Sequence, residues 1–189
     1  EFLPHDYGQG DARIEGRRSE FAEVNPMMGH RGVRLGISQP DLFKMQVDAI
    51  QEAREVVPVD VKLMIPQVIS QREAIVVKEH IDYAGLEVGV MIETVRACMR
   101  ADQLARHTDF FSFGTNDLTQ AVFSFSREDA EKKFLGIYMK KGLLQHNPFT
   151  VLDEFGVARV MSMAIQWARE VKPTFGIGIC GEHGGGGVC

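Results

Sequence analysis

Three apolar stretches of the sequence end on residues that could do chemistry together. "GVMIE" ends on Glu93, "FFSFGTND" ends on Asn116 and Asp117, and "GIGIC" ends on Cys180. A carboxylate that directly follows a buried stretch is costly unless its charge is compensated, and two carboxylates on one face repel each other. A divalent cation between Glu93 and Asp117 would answer both problems, since Mg²⁺ often takes one or two protein carboxylates and leaves the other positions to water and substrate.

Ordinary structural roles are an alternative for each of these residues. A glutamate at the end of a strand is more often part of a salt bridge or a cap than a metal ligand, and Asp117 could cap the helix that follows it. A single cysteine is more often a small buried apolar residue than a catalyst. We favour a shared site because all three stretches carry their polar or reactive residue at the same position, the carboxyl end of a strand.

The pattern of apolar segments predicts an α/β fold that would bring these strand ends together. The predicted elements are strands at 59–68, 86–93, 109–116 and 175–180, and helices at 70–83, 94–107 and 153–171. Strands that are apolar on nearly every residue and alternate with helices are typical of a parallel sheet covered by helices. In such sheets active sites lie at the carboxyl ends of the strands. The pattern itself is compatible with both a doubly wound open sheet and a (β/α)₈ barrel.

Further elements are predicted closer to the amino terminus. Residues 11–23 are charged and indicate an exposed helix, and residues 25–36 indicate a loop punctuated by glycines. The next helix should begin at Ser38, a capping residue, with Pro40 in its first turn. Apolar residues at three-to-four spacing predict its buried face. They are Leu42, Met45, Ala49 and Ala53.

Two arginines could act on an anionic ligand at the same edge of the sheet. Arg31 lies among glycines, which let a backbone approach a ligand closely, and its guanidinium can bind phosphate or carboxylate with two parallel hydrogen bonds. A solvated basic loop is an equally good interpretation of Arg31 taken alone. Arg127 follows Asn116 by eleven residues and could point back over the same face.

Composition argues against several classes of protein. The chain has 189 residues, of which 44% are hydrophobic and 25% charged, as is typical of one globular domain. A net charge of −5 argues against nucleic acid as the main partner. No apolar run approaches the length of a membrane span, and the first residues show no signal peptide. Three widely spaced cysteines form no disulfide framework and indicate a reducing compartment.

These motifs together resemble the phosphoenolpyruvate-binding domain of the phosphoenolpyruvate-utilising enzymes. The matching stretches run in the family's order over roughly residues 21–185, and they are "NPMMGHRGVRLGI", "LMIPQV", "VGVMIE", "FFSFGTNDLTQ", "FSREDA" and "GICGEHGG". Within the family, the "GEHGG" ending is more similar to the pyruvate, phosphate dikinases. Enzyme I of the sugar phosphotransferase system and phosphoenolpyruvate synthase are the alternatives.

The resemblance implies a (β/α)₈ barrel and a role for each site residue. Glu93 and Asp117 would bind Mg²⁺, and Cys180 would exchange a proton with the methylene carbon of the substrate. The substrate carboxylate would be held by Asn116 and by the backbone around Gly114 and Thr115. Arg31 and Arg127 would face the phosphoryl group.

The resemblance also implies partners outside this chain. In the intact enzyme a phosphohistidine on a separate domain would carry phosphate between a nucleotide-binding domain and this barrel, converting ATP, phosphate and pyruvate to AMP, diphosphate and phosphoenolpyruvate. A homodimer is expected, in the cytoplasm, or in a plastid or glycosome.

Residues 1–189 depart from the family pattern in two respects. Such barrels take about 250 residues, so we expect the first and last strands, and the nucleotide-binding and phosphohistidine domains, to be absent from this chain. Asp48 stands where the family usually has an arginine, which would weaken phosphate affinity. The isolated chain is therefore expected to be inactive as an enzyme, or to be only a ligand-binding or structural fragment.

Overall fold

A computed structural model describes residues 22–81, 83 and 85–185 of the chain. The described residues belong to two units that divide between His30 and Arg31. In the first unit, residues 26–28 form a 3₁₀ turn, and the Glu23 carboxylate accepts a hydrogen bond from the His30 backbone N–H. The helix predicted at 11–23 falls almost entirely outside the described residues.

The second unit alternates helices with strands. Its elements in chain order are α1 (Val33–Ser38), α2 (Pro40–Val56), β1 (Lys62–Ile65), α3 (Gln71–His80), β2 (Glu87–Ile92), α4 (Val95–Met99), α5 (Ala101–His107), β3 (Phe110–Gly114), α6 (Thr115–Phe123), α7 (Arg127–Lys133), α8 (Leu135–Lys140), α9 (Val157–Val171) and β4 (Gly176–Cys180). A 3₁₀ turn over residues 182–185 follows β4.

The described strands form one sheet in the order β1-β2-β3-β4, and every neighbouring pair is parallel. The register places Val90 beside Phe111 and Gly114 beside Cys180. All four predicted strands are present, so the prediction of an α/β fold with a parallel sheet is confirmed. The described strands form an open sheet rather than a closed barrel.

The two faces of the sheet differ in composition because side chains alternate along each strand. One face carries large apolar residues that pack beneath the helices, and each fully buried one stabilises the fold by about 1.5–3 kcal/mol. They are Leu63, Ile65, Val88, Val90, Ile92, Phe111, Phe113, Ile177 and Ile179. The opposite face is built mainly from small residues, including Gly89, Ser112, Gly114, Gly176 and Gly178.

The predicted amino-terminal elements were wrong in two respects. Residues 33–36, assigned to the end of a loop, belong to the short helix α1, and Ser38 is its last residue, where its hydroxyl donates to Leu35 O rather than capping α2. The buried face of α2 is also different from the predicted one, since Met45 is 60% exposed and Val47 is buried. Phe43 and Ile50 pack against the core beside Val47.

The later helices agree better with the predictions, apart from their boundaries. The helix predicted at 94–107 is divided into α4 and α5 at Arg100. Helix α9 begins at Val157, and the Asp153 carboxylate accepts hydrogen bonds from the N–H groups of Gly156 and Val157. The residues predicted to face inward on this helix are buried or packed against the core. They are Val157, Val160, Met161, Ala164, Ile165 and Ala168. Among the described helices, none has the length and apolarity needed to cross a membrane.

Candidate active site

The carboxyl ends of β2, β3 and β4 bring the predicted site residues to one edge of the sheet. Glu93 directly follows β2, Asp117 lies in the first turn of α6 directly after β3, and Cys180 is the last residue of β4. Gly114 lies between two of these residues. It pairs with Cys180 in the register of the sheet, and a Cβ added to it would lie 2.5 Å from Glu93 Oε2. A side chain at position 114 would therefore collide with the Glu93 carboxylate.

Gln67 joins the two predicted metal ligands. Its backbone N–H donates to Glu93 Oε1 at 2.6 Å, and its side-chain Nε2 donates to Asp117 Oδ2 at 2.5 Å. Gln67 follows β1 by two residues, so it too lies at the carboxyl edge of the sheet. One residue therefore holds the two carboxylates in a fixed relation to each other.

The Glu93 carboxyl group is costly to ionise in this environment. The residue is only 6% exposed. Burial raises the pKa of Glu93 to about 7, with a smaller contribution from the charge of Asp117, while the hydrogen bonds from Gln67 and the charge of Arg31 act in the opposite direction. Glu93 is thus a group whose charge a bound cation would stabilise.

Arg31 lies on the same side as Asp117, as the sequence indicated. Its Nη1 is 3.6 Å from Asp117 Oδ2, and its side chain is 41% exposed. An ion pair at this exposure contributes little stability. The role of Arg31 toward an anionic ligand stays a prediction.

Arg127 forms ion pairs with carboxylates in this structure. Its guanidinium pairs with Glu182 at 2.5 Å and with Glu131 at 3.7 Å. Gln120 links it to Asp117, since Gln120 Oε1 accepts from the Arg127 backbone N–H and Gln120 Nε2 is 3.5 Å from Asp117 Oδ1. In this structure Arg127 is occupied by carboxylates, and its role toward a phosphoryl group stays a prediction.

A second hydrogen-bond network joins the start of α6 to the end of β4. The hydroxyl of Thr115, which is fully buried, donates to Cys180 O at 3.0 Å. A ring nitrogen of the buried His183, Nδ1, lies 2.8 Å from the same hydroxyl, and Nε2 lies 3.1 Å from Pro148 O. The network fixes the backbone that carries the Cys180 thiol.

The backbone between Cys180 and His183 is shaped to meet α6. Gly181 has φ +86°, and a Cβ at this position would lie 2.9 Å from Thr115 Oγ1, so only glycine suits it. The next residue, Glu182, donates its N–H to Asn116 Oδ1 at 3.3 Å. Cys180 itself is half-buried, and its Sγ donates to Phe113 O at 3.4 Å.

The residues at this edge fit a magnesium ion. Two carboxylates accept hydrogen bonds from one residue, Gln67, and the more deeply buried of them carries a charge that its surroundings do not fully compensate. Among the described residues, no group of three or more His, Cys, Asp or Glu side chains could hold a metal. Two carboxylates are enough for Mg²⁺, which keeps several waters and binds substrate oxygens.

Sequence reasoning missed Gln67, Gln120 and His183. Gln67 could have been found, because "LMIPQ" also ends an apolar strand on a polar residue, as the three stretches noted above do. His183 belongs to the quoted "GEHGG" stretch, but no spacing connects it with Thr115 or Pro148. These contacts depend on the close approach of α6, β4 and the segment before α9.

The fold and this candidate site define an α/β domain with convergent polar residues at the carboxyl edge of a parallel sheet. Residues 5–189 match the family described as PEP-utilising enzyme, PEP-binding domain. The chain therefore belongs to the family of phosphoenolpyruvate-binding domains of the phosphoenolpyruvate-utilising enzymes.

Individual relatives agree with this assignment. Pyruvate, phosphate dikinase of Entamoeba histolytica is 43% identical over 88% of this chain and 21% of that protein. The chloroplastic pyruvate, phosphate dikinase 1 of Arabidopsis thaliana is 43% identical over 97% of this chain and 21% of its own length. The enzyme of Giardia intestinalis is 44% identical over 97% and 24%. The chain thus spans between a fifth and a quarter of the length of these relatives.

Proposed function

We propose that this chain is the part of a pyruvate, phosphate dikinase that binds pyruvate and phosphoenolpyruvate. The observation that carries the proposal is the meeting of Glu93 and Asp117 on Gln67, at the sheet edge where β4 ends on Cys180. The similarity to dikinases in three organisms supports the same conclusion.

Glu93 and Asp117 would hold Mg²⁺, which would supply Lewis-acid stabilisation of negative charge on the oxygen of the pyruvate enolate. Asn116 and the backbone of Gly114 and Thr115 would orient the substrate carboxylate. Arg31, which lies two residues before α1, would offset the charge of the phosphoryl group.

Cys180 is the proposed proton carrier. In the direction of phosphoenolpyruvate synthesis, its thiolate accepts a proton from the methyl carbon of pyruvate, and the enolate oxygen then bonds to the phosphorus of a phosphohistidine while the P–N bond breaks. In the reverse direction the thiol returns the proton to the methylene carbon. Arg127 would bind the phosphoryl group only after its ion pair with Glu182 has broken.

The proposal extends to the rest of the protein. The open sheet would be part of a (β/α)₈ barrel whose remaining strands, together with the nucleotide-binding and phosphohistidine domains, belong to a longer polypeptide. That polypeptide would be a homodimer. Cys98 and Cys180 are both free thiols, which fits the cytoplasm, or a plastid or glycosome, as the compartment.

Titration calorimetry of the 189-residue chain with Mg²⁺ and phosphoenolpyruvate tests the site. We expect phosphoenolpyruvate to bind only with Mg²⁺ present, and Glu93→Gln and Asp117→Asn to reduce binding at least about tenfold. Glu128→Gln is a matched control, since the Glu128 side chain is 87% exposed on α7. Equal affinity in all four proteins would overturn the proposed site, and no binding by the unmodified chain would leave it only a structural fragment.

Reaction stoichiometry of the intact protein separates the dikinase from its relatives. A dikinase consumes phosphate together with ATP and pyruvate and releases diphosphate. Formation of phosphoenolpyruvate without phosphate consumption would favour a synthase, and phosphoryl transfer from phosphoenolpyruvate to a carrier protein would favour enzyme I.

A further inference from the structure

Gln67 is more closely engaged with the proposed metal ligands than any residue that the sequence analysis selected. It is 4% exposed and makes hydrogen bonds to one carboxylate through its backbone and to the other through its side chain. The side-chain bond to Asp117 uses the amide nitrogen, Nε2, and not the amide oxygen, Oε1. The amide therefore has an oxygen to offer at the point where Glu93 and Asp117 converge.

The backbone at Gln67 is held in an unusual conformation. Its φ of +61° lies in the left-handed region, which costs a residue other than glycine on the order of 1 kcal/mol and persists where the surroundings impose it. Those surroundings are visible here, since Val33 N–H donates to Pro66 O at 3.0 Å. Gly32 packs so closely that a Cβ on it would lie 2.9 Å from Gln67 Cβ. The fold thus holds the Gln67 N–H against Glu93.

The position of the amide suits a ligand to Mg²⁺. Ligand oxygens lie about 2.1 Å from Mg²⁺ in octahedral geometry, so adjacent ligand oxygens are about 3 Å apart. The Gln67 amide nitrogen is already 2.5 Å from Asp117 Oδ2, and a half-turn of the terminal torsion exchanges nitrogen and oxygen. An amide oxygen is also neutral, so it adds a ligand without adding a third negative charge that would repel an anionic substrate.

We propose that Gln67 is a third side-chain ligand of the magnesium site. Without a cation its Nε2 donates to Asp117 and holds the two carboxylates in place. When the cation binds, the amide turns and its Oε1 joins Glu93 and Asp117 around the ion. This inference rests on the magnesium site of the proposed function.

Two substitutions with opposite expected effects test the assignment. Gln67→Leu keeps the backbone N–H and a side chain of similar size but removes the amide oxygen. We expect calorimetry at pH 8 to show Mg²⁺ binding about tenfold weaker. Gln67→Glu supplies an anionic oxygen at the same place, and we expect Mg²⁺ affinity at least equal to that of the unmodified chain. Gln166→Leu, on the exposed side of α9, is the control and should bind Mg²⁺ unchanged.

Thermal unfolding gives a readout that is independent of activity. In EDTA the Gln67→Glu chain should unfold at a lower temperature than the unmodified chain, because three carboxylates then face one another. Excess Mg²⁺ should reverse this difference. A purely structural role for Gln67 predicts that both substitutions destabilise the chain and that Mg²⁺ restores neither.

The outcomes separate this inference from the function on which it rests. Mg²⁺ binding by the unmodified chain with unchanged affinity in Gln67→Leu overturns the role of Gln67 alone. If Gln67→Leu does not fold, Gln67→Glu decides, and Mg²⁺ affinity below that of the unmodified chain overturns the role. Failure of the unmodified chain to bind Mg²⁺ overturns the metal site and this inference together.

Discussion

At the scale of single residues, the buried carboxyl group of Glu93 makes the stability of the fold depend on pH. The carboxyl group is buried beside Asp117, and its pKa is raised to about 7. In the unfolded chain the same group titrates near 4.5. Between these two values the folded protein retains a proton that the unfolded chain has already lost, so the folded state is favoured at low pH.

We predict that the contribution of Glu93 to stability, complete below about pH 4.5, is lost as the pH rises through 7. The loss amounts to about 3 kcal/mol at most. Calorimetric unfolding in EDTA from pH 5 to 8 should show the unmodified chain losing stability relative to Glu93→Gln, and Mg²⁺ should restore it above pH 7. Parallel pH curves for the two chains would contradict the prediction.

The two described cysteines should differ sharply in reactivity. Cys98 is fully buried in α4, and burial raises the pKa of its thiol to about 12. Cys180 is partly exposed at the sheet edge. Since the thiolate is the reactive form, we predict that iodoacetamide at pH 8 modifies Cys180 at least about 100-fold faster than Cys98 in the folded chain.

Peptide mapping by mass spectrometry measures both cysteines in one experiment. Denaturant is the control, because it should remove most of the difference between them. Similar rates for the two thiols in the folded chain would show that Cys180 is not the accessible thiol of the site.

Glu93, Asp117 and Cys180 could be predicted from sequence by one local rule. Each lies at or just after the end of an apolar strand, and adjacency in a parallel sheet brings such strand ends together. The contact of Arg127 with Glu182 could not be predicted, because it depends on where α7 lies relative to the turn after β4.

At the scale of elements, the Thr115 hydroxyl joins α6 to β4. It donates to Cys180 O and lies beside the His183 ring, and no part of it reaches solvent. We predict that Thr115→Val, which preserves shape but removes the hydroxyl, lowers the free energy of unfolding by about 1–3 kcal/mol because two buried polar groups lose a partner.

Thr115→Ser is the matched control because it keeps the hydroxyl and should restore most of the stability lost in Thr115→Val. Urea denaturation measures both variants. Equal stability of Thr115→Val and the unmodified chain would show that the network contributes nothing.

Secondary structure was predictable where one strong pattern was present and not where two competed. Each strand is a short apolar run between polar segments. A run of this length is typical of a buried strand and is shorter than most helices. In α2, two apolar stripes lie side by side, and the buried one contains Val47 rather than Met45. Contacts with the rest of the core decide between such stripes, and local spacing does not contain that information.

At the scale of the whole molecule, β1 and β4 form the two edges of the described sheet. Exposed edges present unpaired backbone groups and invite association with other strands. We predict that the 189-residue chain self-associates with rising concentration. Sedimentation velocity between about 1 and 100 μM tests this, and a single monomeric species throughout would contradict it.

The class of fold was predictable because alternation of strands and helices has few solutions. Closure of the sheet into a barrel could not be predicted from the pattern of strands and helices, because closure depends on the total number of strands and on their tilt. Nothing in "VGVMIE" or "FFSFG" distinguishes a strand of an open sheet from a strand of a barrel.

The order of the strands in space is the same as their order along the chain. During synthesis on a ribosome, each strand would therefore emerge after the neighbour on which it pairs, so the sheet could grow in one direction without waiting for distant segments. Among the described strands, the last to emerge carries Cys180. Within this part of the chain, the strands that lead to Glu93 and Asp117 would therefore be paired before the strand that carries the thiol is added to them.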